Sequence, residues 1–192
     1  TYIKETLSDH RKVSRITKQQ LDKLKVEELK SLYAKAGRLA DVTFKKALLD
    51  QGLKSDRSPF FLLEQYSNLL TSGKMSSWKL RLLRKKIIAR DPENKEGYQR
   101  KLAVMDFEAL ASVKKPQKAE IVVDPLVEYM QNFGKKDQKN AWQIEMKISQ
   151  YFFTQNQIED ALRHAKASLD AAPKQHKKDI AESIEYLQKY VQ

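Results

Sequence analysis

The sequence predicts an all-α protein of antiparallel helix pairs, stacked as an α-solenoid or a more irregular helical array. Three observations carry this expectation. Only 5 glycines and 5 prolines punctuate the 192 residues, too few for the many tight turns of a sandwich or barrel. Lys, Glu, Gln, Leu and Ala are abundant, and these side chains lose little freedom in a helix. Small residues also recur at helical spacing, most plainly in "WQIEMKISQYFFTQNQIEDALRHAKASLDAAP", from Trp142 to Pro173. There Ala161 and Ala165 stand four apart, Ser168 follows, and Pro173 stops the second helix. Small side chains on one face let two helices cross closely.

The elements follow in order. Residues 1–16 carry Lys4, Arg11, Lys12 and Arg15 among few apolar residues and read as a basic arm or lead-in helix. A single helical-repeat domain spans 17–192, with helix pairs at about 17–52, 59–91, 95–133 and 141–173 and a capping helix at 178–191. Thr17-x-x-Gln20 has the form of a capping box. Leu21, Leu24, Leu29, Leu32 and Tyr33 continue that helix to a break at Gly37. Its partner carries Ala40, Phe44, Ala47 and Leu48 and stops at Gly52. Ser58 then caps a strongly apolar helix with Pro59 at its first position, and the helix runs to Gly73. The next begins on the serines before Trp78 and ends at Asp91-Pro92. Tyr98 to Val113 fits one helix.

Ile121-Val122-Val123 alone has strand character, and three residues read as an extended linker. Asp124-Pro125 then caps a helix through Leu126, Tyr129 and Phe133. At the end of the chain, Ile180, Ile184, Leu187 and Val191 lie on one helical face, as a helix covering the last apolar surface of an array requires. Ala47, Ile87 and Ser168, each five residues before a helix stop, are 40 and 81 residues apart. A period near 40 with one degenerate unit accounts for both intervals.

The formal net charge is +12, and its distribution says more than its total. Residues 1–100 hold 23 Lys/Arg against 12 Asp/Glu, and residues 101–192 hold 14 against 13. A lysine-rich solvated surface explains such an excess, and an acidic partner or a polyanion would be drawn to the first half. Arg81, Arg84 and Lys85 fall at i, i+3 and i+4, a stripe that can track a phosphate backbone. Nucleic-acid binding through this stripe and the amino-terminal arm is therefore the second functional reading.

Catalysis has little support in the residues. The chain has no cysteine, so thiolate chemistry and disulfides are excluded for it. His10, His164 and His176 do not stand at i, i+4 ligand spacing, and His164 reads as a surface residue. No glycine loop for phosphate and no nucleophile elbow occurs. The pairs Glu27-Glu28 and Glu159-Asp160 sit at helix starts, where the helix dipole accounts for them. No enzyme, cofactor or metal is expected. No stretch approaches the roughly 18 apolar residues of a membrane span.

Residues 142–173 resemble the tetratricopeptide repeat. Residues 29–52 share its small–aromatic–small order, and residues 61–94 resemble it in part through the "ARDPEN" close, with Leu80, Arg84 and Ile87 where small residues are usual. The resemblance implies a non-enzymatic scaffold or adaptor that binds a protein or peptide, an acidic one if the basic half takes part. It also places the groove on the first helix of the last pair, Trp142 to Asn156. By spacing, Gln143, Met146, Gln150 and Phe153 share one face of that helix, while Ile144, Ile148, Tyr151 and Phe152 pack inward. Methionine and phenylalanine beside two amides suit an extended peptide.

A looser likeness runs through "IIARDPENKEGYQRKLA" and "EDALRHAKASLDAAPKQ". It is to helical regions appended to thioredoxin-like domains in bacterial envelope proteins. It implies an accessory helical domain of a larger protein, in the periplasm or envelope, with any redox chemistry outside this chain. The chain opens on Thr1 rather than methionine, as it would after removal of a leader or trimming of its start.

Overall fold

The computed structural model describes residues 18–38, 41–54, 58–73, 78–113 and 117–191. The basic arm, Thr17, Ala40 and the serines before Trp78 lie outside the described residues. Among the described residues nine helices of three turns or more follow one another: α1 Val26–Arg38, α2 Val42–Lys54, α3 Pro59–Thr71, α4 Trp78–Arg90, α5 Tyr98–Ala111, α6 Ala119–Phe133, α7 Gln138–Thr154, α8 Ile158–Ala171 and α9 Lys177–Gln188. They pack as sequential antiparallel pairs, and no strand occurs among the described residues. The all-α expectation holds. The chain divides into two compact units, Thr1–Tyr98 and Gln99–Gln192.

In the first unit, the helix expected to run on from Thr17 is interrupted. One turn, Lys18–Leu21, ends before α1 begins afresh. The Lys25 N–H donates to the Glu28 carboxylate at 2.8 Å, which satisfies one of the donors a helix start leaves open. Glu27 and Glu28 occupy the first turn of α1, as the dipole favours. The core gathers Leu21, Leu29, Tyr33, Ala36, Leu48, Leu49 and Phe61. Tyr33 meets Phe60 and Phe61 edge-on, each at 5.8 Å, and its hydroxyl donates to Glu64 at 2.9 Å. Burial first, then the bond to Glu64 and its charge, raise the Tyr33 phenol well above its ordinary value.

Two expected helix breaks are absent. α1 passes through Gly37, and α2 passes through Gly52 to Lys54. Gly52 is a packing residue rather than a stop. A Cβ at this position would lie 2.3 Å from ring carbons of Phe61, so α2 and α3 meet where a side chain is missing.

α4 packs on α3 through the buried Leu80 and Ile87. Its end is organised by Asp91, a nearly buried carboxylate. Asp91 accepts the N–H groups of Glu96 and, at 3.1 Å, Tyr98. Asn94 and Gly97 take left-handed backbone with φ of 56° and 72°, the conformation that asparagine and glycine adopt most cheaply. The "DPEN" close is thus a turn wound around one acid.

In the second unit, Ile121-Val122-Val123 is helix, not linker. α6 starts at Ala119, and Val122 and Val123 are buried beside Leu126 and Tyr129. Burying each branched side chain gains about 1.5 kcal/mol or more, against a helix-propensity cost of only about half a kcal/mol. Pro125 consequently lies inside α6 instead of capping it. It cannot donate to the carbonyl of Ile121, a residue on the exposed side of the helix.

Between α6 and α7 the carboxylate of Asp137 gathers three donors. These are Arg100 Nη1 and Tyr129 Oη, both at 2.5 Å, and Asn140 Nδ2 at 2.6 Å. Burial works to raise its pKa, but the three hydrogen bonds and the Arg100 charge outweigh burial and hold it below the usual 3.8. A carboxylate depressed in the fold contributes stability above its unfolded pKa, and that contribution is lost as pH falls through the folded pKa. The second unit is therefore expected to weaken in urea titrations below about pH 4. Asp137→Asn should flatten that acid limb and cost about 2 kcal/mol at neutral pH.

α7 and α8 cross through the small residues anticipated from the sequence. Ala161, Ala165 and Ser168 are fully buried, and Ser149 nearly so. Ser149 Oγ in α7 donates to the Ala161 carbonyl in α8 at 2.7 Å. Ser168 Oγ in α8 donates to the Trp142 carbonyl in α7 at 2.8 Å. The partners run in reversed order along the two helices, so these bonds join an antiparallel pair, each from a serine hydroxyl to a main-chain carbonyl of the facing helix. Ile180, Ile184 and Leu187 of α9 join this core. Val191, expected with them, lies past the end of α9 and is half exposed. Among the described residues no helix is long and apolar enough to cross a membrane.

Candidate partner-binding cleft

Three of the four expected groove residues converge. Met146, Gln150 and Phe153 of α7, with Ser149 at the floor, form one wall of an open cleft of about 400 Å³. Asp179, Glu182, Ser183, Tyr186 and Leu187 of α9 form the other. Gln143 is exposed one turn earlier on α7 and does not line the cleft. Ile144, Ile148 and Phe152 are buried on the opposite side of α7, and Tyr151 is half-buried against Phe107 at 5.4 Å.

Met146 and Phe153 are only partly buried against the core. Phe153 packs edge-on with Tyr186 at 5.9 Å and Tyr190 at 5.5 Å. The two tyrosines, each about half exposed, touch through their hydroxyls at 2.7 Å. An aromatic patch is thereby left open to solvent beside two carboxylates. Lys178 reaches Glu182 only at 3.9 Å, with both groups largely exposed, so it screens the site little. The wall supplied by α9 was not anticipated, because that helix reads in sequence as a cap. The pair Tyr186 and Tyr190, four residues apart and off the apolar face, is the signal that marks it.

His164, expected on the surface, is instead mostly enclosed. Its ring stacks on Phe152 at 5.6 Å, and its Nδ1 lies 2.6 Å from the Glu145 carboxylate. The pair borders a separate, mainly apolar hollow of about 410 Å³ lined by Val127, Met130, Ala141, Ile148 and Ala167. Among the described residues, no three His, Asp or Glu side chains gather as a metal site would need.

The basic stripe lies elsewhere, in the first unit. Arg81 and Lys85 are exposed on α4, whereas Arg84 is half-buried. α4 carries six Lys/Arg and no acid among its 13 residues.

The fold and cleft thus define a class: an all-α protein of antiparallel helix pairs with an amphipathic cleft against its last helix. The chain is 34% identical over 167 residues to the thioredoxin-related protein DsbJ of Chlamydia pneumoniae. That match covers 85% of this chain and 48% of that protein, so the chain spans about half the length of this relative. No protein-family model matches the chain. No solved structure matches it.

Proposed function

We propose that this chain is a non-enzymatic helical module that binds a protein or peptide segment in the cleft between α7 and α9. The observation that carries the reading is the convergence of Met146, Gln150 and Phe153 with Tyr186 beside Asp179 and Glu182. Gln150 offers amide contacts to an extended backbone, the aromatic pair takes an apolar side chain, and the two carboxylates favour a Lys or Arg next to it. Attraction of acidic partners belongs instead to the basic first unit. Tetratricopeptide-like recognition is the organising idea, since the first helix of the closely crossed pair supplies one wall of the site.

The DsbJ relative is named as thioredoxin-related, and this chain, having no cysteine, carries none of the thiol chemistry that such a name implies. The second part of the proposal follows: the chain serves as the helical recognition portion of a larger protein. Peptide-library selection against the chain tests the cleft. Enriched sequences should pair an apolar with a basic residue, and Phe153→Ala should weaken them roughly tenfold to a hundredfold. Enrichment that Phe153→Ala and Tyr186→Ala leave unchanged would move the site away from this cleft.

A further inference from the structure

We propose that the exposed face of α4 docks on the surface of an anionic lipid bilayer. At 100° per residue, Trp78, Leu82 and Ala89 fall along the middle of one face of this helix. Arg81 and Lys85 flank them on one edge, and Lys79 and Lys86 on the other. The opposite face holds Leu80 and Ile87, which are buried. All seven residues of the outer face are exposed. Trp78 is 63% and Leu82 45% accessible.

An exposed tryptophan and leucine bordered on both edges by cations can rest in a membrane interface while the opposite face of the helix stays in the core. Tryptophan and leucine enter the boundary between headgroups and acyl chains, while long cationic side chains keep their heads at the lipid phosphates. Lys79 already holds its ammonium over the Trp78 ring at 5.9 Å from the centroid, and the tryptophan stays largely exposed. The four cations of the outer face, on a helix that carries no acid, complement an anionic surface. A nucleic-acid site fits the charge but not the stripe. Leu82 and Ala89 offer neither a stacking plane nor a hydrogen bond to a base.

Flotation of the full chain with phosphatidylcholine vesicles, with and without phosphatidylglycerol, tests the proposal. The variants are Trp78→Glu/Leu82→Glu and Arg81→Gln/Lys85→Gln, and helix content by circular dichroism establishes that each is folded. Phosphatidylglycerol vesicles should float the chain and shift Trp78 emission to the blue, while Trp142, stacked on His176 at 4.5 Å, changes little. Both variants should bind roughly tenfold or more weakly. Failure to float with phosphatidylglycerol, or flotation indifferent to Trp78→Glu/Leu82→Glu, would overturn it. So would binding to a short DNA duplex that depends on Arg81 and Lys85 but not on Trp78, in a chain that ignores vesicles.

Discussion

Gly52→Ala is expected to destabilise the first unit by about 3 kcal/mol, against the ordinary rule for helices. Within a helix, alanine normally improves on glycine by about 1 kcal/mol. Here the new Cβ would meet the Phe61 ring at 2.3 Å, and Phe61 is fully buried with no room to turn aside. Overpacking of a closed core typically costs about 1–3 kcal/mol, and contact with a rigid ring in the middle of a core belongs at the upper end. The sign of the change therefore decides between the two effects. Urea unfolding of the single variant should show the loss, and Phe61→Leu in the same chain should recover part of it by removing the ring. An increase in stability for Gly52→Ala would mean that α2 and α3 do not meet at this glycine.

The second large effect is expected at the crossing of α7 and α8. Ala165→Leu adds three carbons to a fully buried position between helices joined by two serine–carbonyl bonds. The helices cannot separate without breaking both, so a loss of about 3 kcal/mol or more is expected. Ser149→Ala and Ser168→Ala remove one hydrogen bond each without adding volume, and each should cost about 1 kcal/mol. Thermal unfolding of the three variants provides the comparison. Equal small losses for all three would show that the crossing is loose enough to admit a larger side chain.

Much of this fold is legible in the sequence because it follows from local rules. The helical rhythm of Leu29, Leu32 and Tyr33, the proline after Ser58 and the stop before Pro173 each declare themselves within a few residues. So does the alanine spacing in α8, since the residues that make a close crossing must themselves be small. Gly52 shows where local reading ends. A glycine late in a helix looks like a stop, and only the distant Phe61 reveals that it is a contact. Val122 and Val123 are similar, since their branched side chains suggest extended chain until a core is present to bury them. The cleft was legible by half. Spacing placed Met146, Gln150 and Phe153 together, but nothing local reports that Asp179, Glu182 and Tyr186 fold back against them.

The crossing of α7 and α8 has a consequence for how the cleft behaves as a mechanical object. Serine hydroxyls bonded to carbonyls of the facing helix tie α7 and α8 at two points along their length, whereas α9 adheres through the buried Ile180, Ile184 and Leu187. Local opening proceeds first where the fewest such ties must be released. One wall of the cleft is thus an anvil and the other a jaw at the edge of the unit. A small displacement of α9 would change the width of the cleft while the wall on α7 stays still.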